Sequence, residues 1–374
     1  PLMATHGWGA PERAASLERA YQLGRELGET TRLLPVLQAL ASVHIARAKP
    51  HAALEAGRRL LGAARQASRE LYVGAGHRMV GTAHFFLGHL EPAREHLAAG
   101  LEAYTGHASQ TGAGEFGPTA DGEVRLRVWL AQVLLLMGYP ERAAATGQEA
   151  LELARALGYV GAQGIALTAA GAAFHAMARR PQETLRYADE LLALADKHGL
   201  PSYHGWARSY RGWAVACQGD LERGLPEMRS GMDELQATGT RGSFPQLFTL
   251  LAELYRRTGK LEEGLAASDR ALELANETGA LCQVPEMYRT RGTLDLESEA
   301  VAEAEASFER AIASAQDQGA RLYELRATVT LARLWKARGQ SREAEARLSD
   351  VYSWFTEGLD TPDLVEARSL LDTL

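Results

Sequence analysis

The sequence predicts an all-α solenoid, a stack of antiparallel helical hairpins, and three observations carry that expectation. The first is composition: Ala, Leu, Glu and Arg dominate the 374 residues, aromatics make up 7%, and strand-like runs of Val, Ile and Thr are missing. The second is a glycine period: Gly219 and Gly259 lie 40 residues apart and Gly339 lies 80 further on, with Glu299 in the slot between. The third is a pair of small-residue columns in phase with those glycines, which lets neighbouring helices approach closely.

Each element follows from that frame. Gly88, Gly138, Gly219, Gly259 and Gly339 mark the turn inside a hairpin, with Ala48 and Arg179 as degenerate markers of the same slot. A second series, Gly158, Gly199, Gly239, Gly279 and Gly319, closes the other helix of each pair, where a left-handed cap favours a residue without Cβ. Ahead of the inner turn comes a small column: Ala41, Gly81, Ala131, Ala172, Gly212, Ala252, Gly292 and Ala332. After it comes another, Ala53, Ala93, Ala143, Gly224, Gly264, Ala304 and Ala344, with Thr184 as its exception. Large apolar residues recur between the columns at helical spacing, as in Leu247, Leu250, Leu251 and Leu254.

The expected organisation is a single repeat domain over 1–374. A leading helix occupies 10–29, two repeats 31–106, an inserted loop 107–122, six further repeats 123–358 and a capping helix 361–374. Thr361-Pro362-Asp363 supplies an N-cap, a first-turn proline and a helpful acid for that last helix. The start at Pro1 without an initiator Met reads as a piece of a longer chain.

Charge and motifs exclude most catalytic classes. A net charge of −7 gives no overall pull toward phosphate backbones or anionic membranes, so neither nucleic acid nor membrane is an expected partner. Two cysteines, Cys217 and Cys282, provide neither a disulfide framework nor a thiolate metal site, which suits a cytoplasmic location. No phosphate-binding loop, nucleophile elbow or His-Glu-x-x-His motif occurs, so no catalytic residue, metal or cofactor is expected. His77 and His84, two helical turns apart, read as chance spacing. Gly112, Gly114 and Gly117 spell Gly-x-Gly-x-x-Gly, but no strand precedes them and Pro118 follows.

The columns resemble the tetratricopeptide repeat, whose bulky later position is filled here by Leu97, Met228 and Phe308. The period of 40 is longer than the family's 34, so longer helices are expected. Three phrases narrow the resemblance: Met137-Gly138-Tyr139-Pro140-Glu141-Arg142-Ala143, Leu331-Ala332-Arg333-Leu334-Trp335, and the ending from Val351 to Leu364. They are similar to the C-terminal repeat region of bacterial signalling proteins that join a nucleotide-cyclase-like or kinase domain to a STAND-type ATPase. That resemblance implies a right-handed superhelix acting as sensor or docking arm for upstream ATPase or cyclase-like domains. Its partner would be a protein, a peptide or a small-molecule signal.

In tetratricopeptide superhelices the first helix of each pair lines the concave groove. The inward positions lie six and three residues before the first small column and one after it, which selects Arg125 and Gln132, then Trp206, Ser209 and Trp213. The same offsets give Gln246, Thr249 and Glu253, then Glu286, Arg289 and Thr293, then Arg326 and Arg333. The run from Tyr203 through His204, Trp206 and Arg208 to Trp213 is the densest aromatic and basic cluster, and the binding site is expected there. The competing expectation is a scaffold that self-associates and holds nothing in its groove.

Overall fold

The computed structural model describes residues 11–26, 30–105 and 121–374, so most of the expected insertion, including Gly112, Gly114 and Gly117, lies outside the described residues. The described residues are helical throughout, with no strand. A leading helix α1 (Pro11–Glu26) precedes four hairpins: α2 (Thr30–Ala46) with α3 (Pro50–Gln66), α4 (Glu70–Phe86) with α5 (Leu90–Thr105), α6 (Gly122–Leu136) with α7 (Pro140–Leu157), and α8 with α9 (Pro181–His198). Helix α8 runs as Val160–Ala166, a π-helical stretch Leu167–Ala172, and Ala173–Met177. Four more hairpins follow: α10 (Pro201–Cys217) with α11 (Leu221–Ala237), α12 (Phe244–Arg257) with α13 (Leu261–Thr278), α14 (Val284–Glu297) with α15 (Val301–Gln318), and α16 (Arg321–Ala337) with α17 (Ser341–Ser353). Helix α18 (Pro362–Leu371) ends the chain.

The turns have the backbone that the glycine series predicts. All ten of those glycines adopt positive φ, and the degenerate slots Ala48, Arg179 and Glu299 adopt it too, at 55°, 54° and 63°. A left-handed residue is disfavoured with a Cβ, so the tertiary contacts enforce the cap where glycine is missing. Ser68, at 51°, fills the equivalent slot between the first two pairs, 20 residues after Ala48 as Gly158 stands after Gly138, though its residue type does not mark it.

The small columns lie buried where helices cross. The tightest crossing joins α10 to α11: a Cβ added to Gly212 would stand 2.3 Å from the Met228 backbone nitrogen, and one added to Gly231 would stand 2.4 Å from that of Ser209. Against these columns pack Leu97, Met228 and Phe308, all fully buried, each contributing about 1.5–3 kcal/mol of apolar burial.

The stack coils until its second turn rests on its first. The loop before α12 donates to the end of α2 (Arg241 N to Ala46 O, 2.9 Å), and the loop before α14 donates to the end of α4 (Leu281 N to Phe86 O, 2.7 Å). Further along, Arg326 Nη2 donates to Met177 O of α8 at 2.6 Å, and the Glu357 carboxylate takes the backbone N–H groups of Glu141 and Arg142, both at 3.1 Å. Helix C-termini leave carbonyls without intrahelical partners, and here the next superhelical turn supplies donors to them. The coil therefore encloses a lumen walled by the first helix of each pair.

Candidate functional site

Two neighbouring chambers occupy the lumen. The first, of about 180 Å³, is walled by α2, α4, α6, α8 and α10 and bordered by the loops that lead into α12 and α14. Its lining is aromatic: Trp129 packs 5.6 Å from Phe85 and 5.5 Å from Phe86, and Trp206 stacks on Tyr210 at 5.8 Å with an interplanar angle of 13°. Tyr203 also lines it; burial pushes its hydroxyl up to about 12, and that neutral hydroxyl donates to Gly161 O at 3.4 Å. The π-helical stretch of α8 forms part of the wall, and its Ala169 carbonyl accepts from Gln132 Nε2 at 2.8 Å. Such insertions in a helix often reshape a wall at a functional site.

The second chamber, of about 470 Å³, is polar and shares Gln246 and Gln283 with the first. Its arginines are answered by acids: Arg289 holds Glu286 at 2.8 Å, Arg326 holds Asp363 at 2.7 Å, Arg333 holds Glu366 at 2.7 Å and Arg256 holds Glu253 at 2.8 Å. Burial alone would raise the Glu286 carboxyl, but Arg289 and Arg326 outweigh it and hold it at about 2. Asp363 is likewise pulled below the ordinary carboxylate range against the effect of burial, by Arg326 and Arg179. A network of this kind fixes side-chain positions, and Glu253, Glu286 and Asp363, all held below the ordinary carboxylate range, are not poised to act as acids at neutral pH.

The expected groove residues fall into three groups. Arg125, Gln132, Tyr203, Trp206 and Gln246 line the aromatic chamber. Trp213, Glu253, Glu286, Arg289, Arg326 and Arg333 line the polar one, with Gln246 shared. His204, Arg208 and Ser209 lie off the lumen. The His204 ring and Arg208 both bind Glu234 of α11, the first at 2.7 Å, and Arg208 also reaches Ser230 at 2.8 Å. Ser209, which the inward offset selects, is buried in the α10–α11 crossing with its hydroxyl on Gly205 O at 2.8 Å, because glycines on both helices let the backbones meet there.

Sequence reasoning missed Arg78 and Thr82, which line the aromatic chamber from α4. The signal was available: applied to the unit carrying Gly81, the same offsets land on these two residues.

Little here supports bond-making chemistry. Burial pushes the Cys217 thiol up to about 11 and the Cys282 thiol up to about 12, the opposite of nucleophile activation. Histidines do gather between α4 and α5, with Nδ1 atoms 3.1 Å apart in His77 and His96 and 3.2 Å apart in His84 and His89. Among the described residues, no group of three or more His, Cys, Asp or Glu could hold a metal ion. Nor is any described helix long and apolar enough to cross a membrane.

A tetratricopeptide-repeat family model matches residues 245–278, the span of α12 and α13. Comparison with curated proteins gives no match. Among solved structures, the chain is similar to a Rap protein complexed with competence and sporulation factor, with a TM-score of 0.58 at 12% identity over 91% of this chain and 97% of that one. It is also similar to the Rap conjugation gene regulator of the plasmid pLS20 in complex with the Phr* peptide, with a TM-score of 0.56 at 11% identity over 91% and 97%. A STAND protein with a tetratricopeptide repeat sensor from Pyrococcus horikoshii gives 0.45 at 15% identity, over 97% of this chain and 55% of that one. At these identities the likeness is one of fold: a tetratricopeptide-like all-α solenoid.

Proposed function

We propose that this chain is a non-catalytic binding module of a larger signalling ATPase in a bacterial cytoplasm, and that its lumen receives the signal as a peptide or small molecule. The observation that carries the reading is the aromatic chamber, an apolar cavity walled by helices of five hairpins and bordered by loops of the next superhelical turn. Apolar concave sites with a few placed polar groups are the usual form of a ligand site. Two proteins of similar fold were determined in complex with competence and sporulation factor and with the Phr* peptide, which supports a ligand of comparable kind here. Because the chamber is built by both superhelical turns, a bound ligand would favour the closed coil over an open one, and that difference is available to bias an attached domain.

The test uses the neutral dye N-phenyl-1-naphthylamine, which fluoresces on entering apolar sites. The chain should bind it saturably, with energy transfer from Trp129 and Trp206. Ser42→Trp, which fills the chamber from a half-buried wall position, should abolish binding without lowering the melting temperature. Arg208→Ala, off the lumen, should leave it intact. Absence of binding by the unaltered chain, or binding untouched by Ser42→Trp, would sink the lumen reading.

A further inference from the structure

Arg78 is a buried cation with no salt bridge among the described residues. It sits on α4, 5% exposed, and lines the aromatic chamber. Among the described residues its Nε has no hydrogen-bond partner. The carboxylate whose field reaches it, Asp121, is already engaged by Arg125 Nε at 2.7 Å. The polar chamber makes the contrast, since Arg256, Arg289, Arg326 and Arg333 are all salt-bridged there.

Two more side chains in the same chamber are unsatisfied. Among the described residues the Thr82 hydroxyl, four residues from Arg78 and so on the same face of α4, has no partner, and neither has the Ser202 hydroxyl on α10; both are buried and line the cavity. Buried polar atoms in folded proteins are almost always hydrogen-bonded, and a buried charge is almost always paired. Three exceptions in one cavity, one of them a guanidinium, describe the complement of a missing group. That group must accept hydrogen bonds and carry negative charge, while Phe85, Trp129 and Trp206 around it require an apolar body.

We propose that the aromatic chamber takes an amphipathic anion, whose carboxylate-like head docks on Arg78 with Thr82 and Ser202 as supporting donors and whose aromatic or aliphatic body lies against Phe85, Trp129 and Trp206. The proposal rests on the chamber being the ligand site. Burial and the neighbouring Arg125 lower the Arg78 guanidinium to about 10, which still leaves it charged at neutral pH, so an arriving anion gains both the ion pair and charge-assisted hydrogen bonds in a site of low dielectric. The head could belong to a free organic acid or to the C-terminus of a peptide.

The experiment compares 1-anilinonaphthalene-8-sulfonate with N-phenyl-1-naphthylamine, which has the same ring system without the anion. Both should bind the unaltered chain. Arg78→Met should weaken the sulfonate by about tenfold or more and leave the neutral dye within about twofold. Equal effects on the two dyes, or none on the sulfonate, would overturn the role of Arg78. Should neither dye bind the unaltered chain, the chamber itself is the wrong site.

A second measurement needs no variant: 4-phenylbutyrate should displace the sulfonate at about a tenth of the concentration that 4-phenylbutanol requires, and parity between them would refute the anionic head. Acetyl-Leu-Phe as free acid and as amide completes the series. Competition by the acid at a lower concentration than phenylbutyrate assigns the head to a peptide C-terminus, and the reverse order assigns it to a free acid.

Discussion

Replacing Arg326 by Met tests whether the second superhelical turn is locked to the first by a buried charge. Arg326 is 5% exposed on α16, and it donates Nε to Asp363 Oδ1 at 2.8 Å and Nη2 to Asp363 Oδ2 at 2.7 Å. The same Nη2 donates to Met177 O at 2.6 Å, so one side chain joins α8, α16 and α18. Met restores the apolar volume but strands Asp363, itself 4% exposed. Removing one partner of a buried pair costs about 3–5 kcal/mol. Arg179 stays 3.1 Å from Asp363 and Arg289 stays 2.8 Å from Glu286, so the expected loss sits at the low end, about 3 kcal/mol.

Acid provides the second signature of the same change. Asp363 and Glu286 titrate lower in the folded chain than in the unfolded one, so their contribution is complete above the ordinary carboxylate pKa of about 4 and disappears as pH falls toward about 2. The difference between parent and Arg326→Met should therefore be large at neutral pH and shrink on acidification. Urea unfolding followed by far-ultraviolet circular dichroism, run at neutral pH and near pH 3, reads both. A loss below about 1 kcal/mol at neutral pH, or one that does not change with pH, would refute the lock.

The remaining expectations concern packing and the histidines. Gly212→Ala drives a Cβ to 2.3 Å from the Met228 backbone nitrogen and 2.6 Å from Gly224 O, and Gly292→Leu drives one to 2.6 Å from the Phe308 ring and 2.9 Å from Ala304 O. Each should cost about 1–3 kcal/mol, seen as a lower melting temperature, and an unchanged melt for either would contradict the close crossings. Burial, helped by neighbouring positive charge, lowers His77 and His84 to about 4, and burial lowers His96 as well. Their contribution is thus complete above the unfolded value of about 6.5 and is lost as pH falls to about 4. The urea midpoint should drop over that window, and His77→Leu with His84→Leu should flatten the drop; equal slopes in parent and double variant would count against it.

The hairpins were legible because capping is local. A left-handed residue every 40 positions and two small columns leave their mark in the sequence, and even Ala48, Arg179 and Glu299 were marked by the spacing. Ser68 is marked by the same spacing, 20 residues after Ala48, and only its residue type hides it. Most of the lumen wall follows from the inward offsets, and Ser209 fails because glycines close the α10–α11 crossing over it. Three features had no local signal: the π-helical stretch of α8, the seating of Arg241 on Ala46, and the lack of a partner for Arg78. The second depends on residues brought together across a whole superhelical turn.

The claim that the lumen is the binding site is tested most directly by hydrogen–deuterium exchange mass spectrometry with and without saturating N-phenyl-1-naphthylamine. The account predicts added protection in the chamber walls on α4, α6, α8 and α10 and in the loop before α12, with α13 and α15 unchanged. Protection confined to the outer helices, or none anywhere while the dye is bound, would contradict it.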